Sequence, residues 1–141
     1  MFSIPSLVAP RPLSSTPAVA PVAVVLIDDH EGFRRAIREF IEQDRLFRVF
    51  AEASSVATGL LLPATPAPDL ILLDWRLTDG SGLELISPFL ARWLAVKILM
   101  LTLENSPAHK LRSLRMGAHG FVCKDDAEAG LLPAMRAAIS P

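Results

Sequence analysis

Along this chain, short and almost uninterrupted apolar runs alternate with longer stretches in which apolar and polar positions recur at helical spacing. The runs are Val22–Ile27, Leu46–Ala51, Leu70–Leu73, Val96–Leu101 and Phe121–Cys123. Runs this short, rich in Val, Ile and Leu, predict strands buried on both faces of a parallel sheet. After the first run, Phe33, Ala36, Ile37, Phe40 and Ile41 fall at i, i+3, i+4, i+7 and i+8, with Arg34, Arg35, Arg38, Glu39 and Glu42 on the other face. That spacing predicts an amphipathic helix. A weaker helix is expected over Ser55–Leu62, ended by Pro63, Pro66 and Pro68. Leu83–Trp93 forms a third, in which Pro88 removes a backbone hydrogen bond and introduces a bend. Ser106-Pro107 supplies an N-cap with proline at N1 and Gly117 a C′ stop, so Ser106–Met116 is helical. Asp125 or Asp126 is expected to cap a last helix, Ala127–Ile139, whose internal Pro133 has no explanation in the sequence. The β-α order, repeated five times, predicts an α/β fold: an open, doubly wound parallel sheet with right-handed connections.

Four of the runs lead into residues suited to phosphate or metal chemistry: Asp28-Asp29, Asp74, Thr102 and Lys124. In a doubly wound sheet the ligand site forms outside the carboxyl ends of the strands, so these side chains are expected to converge. Singly, each has a plainer reading. An Asp at a strand end is usually a turn former or helix cap, Thr102 is a β-branched strand residue, and Phe121 belongs to the core. As a trio of acids with one lysine, the chemical reading outweighs these. His30 and His109 lie too far apart in sequence, with no companion ligands, for a metal site and read as surface or loop residues. Lys110, Arg112 and Arg115 read as a solvated helix face or partner surface rather than a nucleic-acid patch.

With 141 residues the chain is one domain. A net charge of −1 gives no general attraction to nucleic acid or anionic membrane, and no apolar stretch is long enough to span a bilayer. Cys123 is the only cysteine, which rules out an intrachain disulfide and fits a reducing, cytoplasmic setting; within its strand it reads as an inert small hydrophobe. Residues 1–21 differ in character: Pro5, Pro10, Pro12, Pro17 and Pro21 break any regular pattern, so a flexible tail is expected before a domain over 22–141. Ala18-Val19-Ala20 resembles a signal-peptidase site, but no basic or continuous apolar region precedes it, and secretion is rejected.

The segments Val25-Leu26-Ile27-Asp28-Asp29-His30-Glu31-Gly32-Phe33-Arg34 and Leu72-Leu73-Asp74-Trp75-Arg76-Leu77-Thr78-Asp79-Gly80-Ser81-Gly82-Leu83-Glu84, with Thr102 and Gly117-Ala118-His119-Gly120-Phe121-Val122-Cys123-Lys124-Asp125, resemble a two-component response-regulator receiver domain of the NarL/FixJ type. The resemblance covers about Ala23 to Ile139. It implies a flavodoxin-like (βα)5 sheet of order 2-1-3-4-5, with Asp74 as phosphoryl acceptor. It further implies Mg²⁺ held directly by Asp29, by Asp28 from beside it or through water, and by the backbone carbonyl of Arg76. Lys124 would pair with Asp74 and then with a phosphate oxygen, Thr102 would donate its hydroxyl to another, and Phe121 would be the aromatic switch behind it. The implied partners are a histidine kinase and a possible second copy of the chain, with no nucleic acid or membrane bound directly. Implied chemistry is limited to the domain's own phosphorylation and dephosphorylation.

Three positions depart from the family pattern. Thr78 replaces a usual proline, which predicts a looser loop; Leu103 replaces a small residue; and Asp125 replaces the frequent proline after the lysine. Arg76 and Glu104, two residues after the acceptor and the threonine, form an opposite-charge pair over the expected path of hydrolytic water. The chain ends at Pro141, where a NarL/FixJ-type protein continues into a helix-turn-helix output domain, so it reads as a stand-alone receiver or a fragment. The alternatives are a receiver-fold dimerisation or docking module that is never phosphorylated, and a phosphoaspartyl phosphatase of the haloacid dehalogenase type. The latter needs a second Asp where Arg76 stands.

Overall fold

The computed structural model describes residues 20–141. The tail expected over 1–21 therefore lies outside the described residues except for its last two. Five parallel strands, β1 (Val22–Ile27), β2 (Phe47–Ala53), β3 (Leu70–Leu73), β4 (Lys97–Thr102) and β5 (Gly120–Cys123), form one sheet in the order 2-1-3-4-5. Helices α1 (Glu31–Glu42), α2 (Val56–Leu60), α3 (Leu83–Arg92), α4 (Pro107–Arg115) and α5 (Ala127–Ile139) alternate with them. This is the doubly wound arrangement anticipated from the apolar runs.

The runs are continuous because both faces of the sheet are covered. Val25, Ile27, Ile71, Leu73, Ile98 and Met100 pack with Leu85, Ile86 and Phe89 of α3. Their neighbours Val24, Leu26, Leu70, Leu72, Leu99 and Leu101 pack on the other face with α1 and α5. With side chains alternating along each strand, no position on the central strands is left for a polar residue.

Several local expectations need correction. β2 runs two residues beyond Ala51, and its pairing with β1 slips between Val24↔Val49 and Val25↔Ala51, leaving Phe50 as a bulge. The cap of α1 is His30, whose ring accepts the Phe33 N–H at 2.9 Å, rather than either aspartate. Asp126 precedes α5 but makes no side-chain capping bond; a turn of 3₁₀ helix, Lys124–Asp126, leads the chain in instead. α2 is only Val56–Leu60, closed by a capping box between Ser55 and Thr58. Pro88 and Pro133 both sit inside helices. The carbonyls they leave without an N–H partner belong to Glu84 and Ala129, both exposed residues, so the lost bonds fall on the solvent-facing side of each helix, where their cost is low. Ser106 does cap α4, and Gly117 follows it with φ +114°, as expected of a left-handed helix stop.

Candidate functional site

Parallel register brings the acids together. Ile27 of β1 pairs with Leu73 of β3, so Asp28 and Asp74 leave adjacent strands side by side, and the Asp74 N–H donates to the Ile27 carbonyl at 2.9 Å. Thr102 ends β4 opposite Cys123, and Lys124 follows Cys123 directly. All four side chains therefore stand at the carboxyl edge of the sheet.

Lys124 is the centre of the arrangement. Its Nζ lies 2.6 Å from Asp28 Oδ2 and 2.9 Å from Asp74 Oδ2, with the Phe33 ring 4.3 Å away. Asp28 Oδ1 accepts the His30 N–H at 2.8 Å, and its carbonyl accepts from the Arg34 guanidinium. Asp28 and Asp74 are 5% and 6% exposed, whereas Asp29 is open to solvent. Burial raises the Asp28 carboxyl above its ordinary range; the Lys124 and His30 bonds offset part of that rise, and the charge of Asp74 adds to it. Burial alone would lower the Lys124 ammonium, but hydrogen bonds to Asp28 and Asp74 and their charges outweigh it and leave it raised. One oxygen from each of Asp28, Asp29 and Asp74 lies within 4.8 Å of the others. Three carboxylates thus cluster around a site in which one ammonium pairs with only two of them. The unmatched negative charge and all-oxygen donor set fit a hard divalent cation such as Mg²⁺.

The loop after Asp74 is held from three sides. Arg76 and Leu77 pair with Ser81 and Gly80 in a small antiparallel ladder, Asp79 accepts the Val56 and Ala57 N–H groups at 2.7 and 2.9 Å, and Gly82 N–H donates to Trp75 O at 2.6 Å. Those bonds to α2 hold the Asp79 carboxyl below its ordinary range. Asp79 ties the loop containing Thr78 to the start of α2, a restraint that compensates in kind for the missing proline. Arg76 places its guanidinium 2.7 Å from Glu104 Oε2, which forms the pair read in the sequence and lowers the Glu104 carboxyl.

Thr102 is buried at 1% exposure, and its hydroxyl oxygen accepts the Glu104 N–H at 3.3 Å. By strand alternation it shares a face with Met100, against which half-buried Phe121 pairs. The two residues expected to act as a switch therefore sit on one side of the sheet. His109, read from the sequence as a surface or loop residue, makes two specific contacts. It lies in α4 with its ring edge-on to Trp75, centroids 4.6 Å apart, and Nε2 3.3 Å from Glu104. His30 and Phe33 were also missed as contributors. The signal for His30 was present: Phe33, the first residue of the helical pattern, is N3, and the cap stands three before it.

A family model described as response regulator receiver domain matches residues 24–136. The chain is a response regulator receiver. It is similar to the DNA-binding transcriptional activator DevR/DosR of Mycobacterium tuberculosis, 38% identical over 104 residues that make up 74% of this chain and 48% of that protein. Among solved structures, it is similar to a LuxR-family two-component response regulator from Aurantimonas sp., with TM-score 0.79 and 28% identity over 85% of this receiver and 86% of that chain. A response regulator from Burkholderia pseudomallei, solved with a phosphorylated aspartic acid, a calcium ion and citrate, matches with TM-score 0.71 and 26% identity over 84% of this receiver and 66% of that chain. The LuxR-family neighbour and the NarL relatives agree with the NarL/FixJ-type resemblance. The receiver spans about half the length of the curated relatives it matches. Membership of the receiver family is consistent with phosphoryl-accepting signalling, and the reading as a docking module that is never phosphorylated is not favoured. Among the described residues, no helix is long and apolar enough to cross a membrane.

Proposed function

We propose that Asp74 is the acceptor and that it takes its phosphoryl group from the phosphohistidine of a partner kinase, or from a small phosphodonor. A carboxylate oxygen of Asp74 attacks phosphorus, the bond from phosphorus to the donor nitrogen breaks, and the leaving imidazole takes up a proton. The observation that carries this reading is the Lys124 ammonium held between Asp28 and Asp74, with Asp29 beside them. Lys124 stays close enough to neutralise an oxygen of the new acyl phosphate, and Thr102 supplies a hydroxyl donor from β4. Asp28, Asp29, Asp74 and the Arg76 carbonyl would hold Mg²⁺, which when bound neutralises charge on the transferring group. The chemistry is performed on the receiver itself, with no external substrate turned over. Phosphorylation then alters the surface formed by α4, β5 and α5 for contact with a partner or a second copy.

The test is the intact mass of the protein after exposure to acetyl phosphate, or to phosphoramidate as a nitrogen-linked donor, in Mg²⁺. A phosphate-sized gain is expected, with self-association read from native spectra of the same sample. An unchanged mass with both donors refutes the proposal in favour of the docking module.

Two further results are expected. Because the acidic site carries more negative charge than Lys124 matches, Mg²⁺ raises the melting temperature by mass action, and Asp29→Ala loses most of that response. Identical melting of the two proteins across a Mg²⁺ titration would reduce Asp29 to a bystander. If the Arg76–Glu104 pair gates the approach of water to Asp74, the acyl phosphate is long-lived and the double replacement by Ala speeds its loss about tenfold. First-order decay after removal of the phosphodonor measures this, and equal decay in both proteins would discard the gate.

A further inference from the structure

Helix α4 is weakly attached to the rest of the molecule. Ser113 is its only buried residue, whereas α3 buries Leu83, Leu85, Ile86 and Phe89. Leu111 and Leu114 remain 49% and 42% exposed, so little apolar burial fixes the position of α4. A few polar contacts at its first turn therefore carry much of that task, and they converge on His109.

Ser106 Oγ accepts the His109 backbone N–H at 3.1 Å and also contacts His109 Nδ1. The Ser106 hydroxyl is free to donate to Nδ1 while accepting the backbone N–H, and in that tautomer the ring hydrogen sits on Nε2. Nε2 faces Glu104 Oε1 at 3.3 Å. The other oxygen of the same carboxylate takes Arg76 Nε at 2.7 Å, and the Glu104 backbone N–H donates to Thr102 Oγ1 at 3.3 Å. Glu104 is thus shared three ways. It binds α4 through His109, the acceptor loop through Arg76, and the hydroxyl of Thr102 through its backbone.

We propose that His109 is a positioning residue: by holding Glu104 to α4, it keeps Thr102 in its unphosphorylated arrangement and opposes closure onto a phosphoryl group at Asp74. The inference rests on the reading of Asp74 and Thr102 given above. Movement of Thr102 toward Asp74 either draws Glu104 with it or breaks their hydrogen bond. The exposed Arg76 side chain, on the acceptor loop itself, can follow Glu104, but His109 is fixed on α4, so Glu104 moves with Thr102 only by giving up the His109 contact or drawing α4 along. The closed arrangement is thereby a minor population, and ligand affinity is reduced by that fraction. Releasing the α4 side of the carboxylate raises the fraction and tightens binding of a phosphoryl mimic. In the intact protein, release of the same contact frees α4, which gives the phosphate a route to the exposed helix face.

The experiment titrates the full chain with beryllium fluoride in saturating Mg²⁺ by calorimetry, alongside amide NMR of the unliganded proteins. His109→Phe preserves an aromatic edge against Trp75 but removes both polar contacts, and it is expected to bind about tenfold more tightly, the effect of one hydrogen bond to a charged group. His109→Gln, whose amide still reaches Glu104, is expected to keep wild-type affinity. Unliganded His109→Phe should also shift its Glu104 and α4 resonances toward the positions of the liganded wild type. A Phe variant that is folded by NMR and binds no more tightly than wild type overturns the latch while leaving the receiver chemistry standing. A wild type that does not bind beryllium fluoride overturns the Asp74 reading, and the latch with it.

Discussion

Asp74→Asn is expected to take up no phosphate from acetyl phosphate or phosphoramidate, while melting within a few degrees of the wild type. The substitution is nearly isosteric and leaves an oxygen able to accept from Lys124, whose second partner, Asp28, is untouched at 2.6 Å. It removes the one carboxylate arranged for attack. Both oxygens of Asp28 are committed, one to the His30 N–H and one to Lys124. Asp74 engages Lys124 through Oδ2, and its Oδ1 has no hydrogen-bond partner among the described residues. Asp29 is exposed and lies away from the lysine contacts that mark the other two. An amide nitrogen or oxygen is too poor a nucleophile to substitute, so the loss is complete rather than partial. Phosphate retained by the variant and mapped to Asp28 or Asp29 would move the acceptor.

The candidate site was legible in the sequence because its members occupy strand ends, and strand ends follow from apolar runs. Val22–Ile27, Leu70–Leu73 and Phe121–Cys123 are buried on both sides, which forces the first polar residue after each run to the edge of the sheet. Asp28, Asp74 and Lys124 were placed by that rule alone. What the sequence did not show depends on side-chain contacts that no local periodicity registers, near or far along the chain. Asp79 ties the acceptor loop to the N–H groups of Val56 and Ala57, twenty-two or more positions away, a restraint that Thr78 alone does not reveal. Glu104 was paired with Arg76 by analogy, but its second partner, His109, has no local pattern and read as a surface residue. The bulge at Phe50 arises from pairing between β1 and β2, which periodicity within one strand cannot register. Pro88 and Pro133 stood out as helix breakers only because propensity ignores which carbonyl loses its partner, and here those carbonyls belong to exposed residues.

Gly82→Ala is expected to lower the rate of phosphorylation about a hundredfold and to destabilise the fold, although Gly82 makes no contact with any ligand in the proposed chemistry. Its backbone is ordinary, with φ −58° and ψ −24°, so conformational freedom is not why a glycine stands there. The requirement is space. A Cβ at this position would lie 1.8 Å from the Asp74 carbonyl oxygen, 3.0 Å from its carbonyl carbon and 3.2 Å from Leu73 Cδ1. The first of these is backbone at the end of β3, which is hydrogen-bonded between β1 and β4 and has no rotamer through which to yield. Relief must come from moving the acceptor loop or the start of α3, and the Gly82 N–H bond to Trp75 O at 2.6 Å ties the two together. Overpacking of this kind costs about 1–3 kcal/mol even where side chains can adjust. A displacement of about 1 Å at a reacting group is enough for a hundredfold loss of rate. Phosphorylation kinetics and thermal melting in the same Mg²⁺ buffer measure the two effects together. If Gly82→Ala phosphorylates at the wild-type rate, the acceptor carbonyl is free to move, and the close approach of α3 has no part in aiming Asp74.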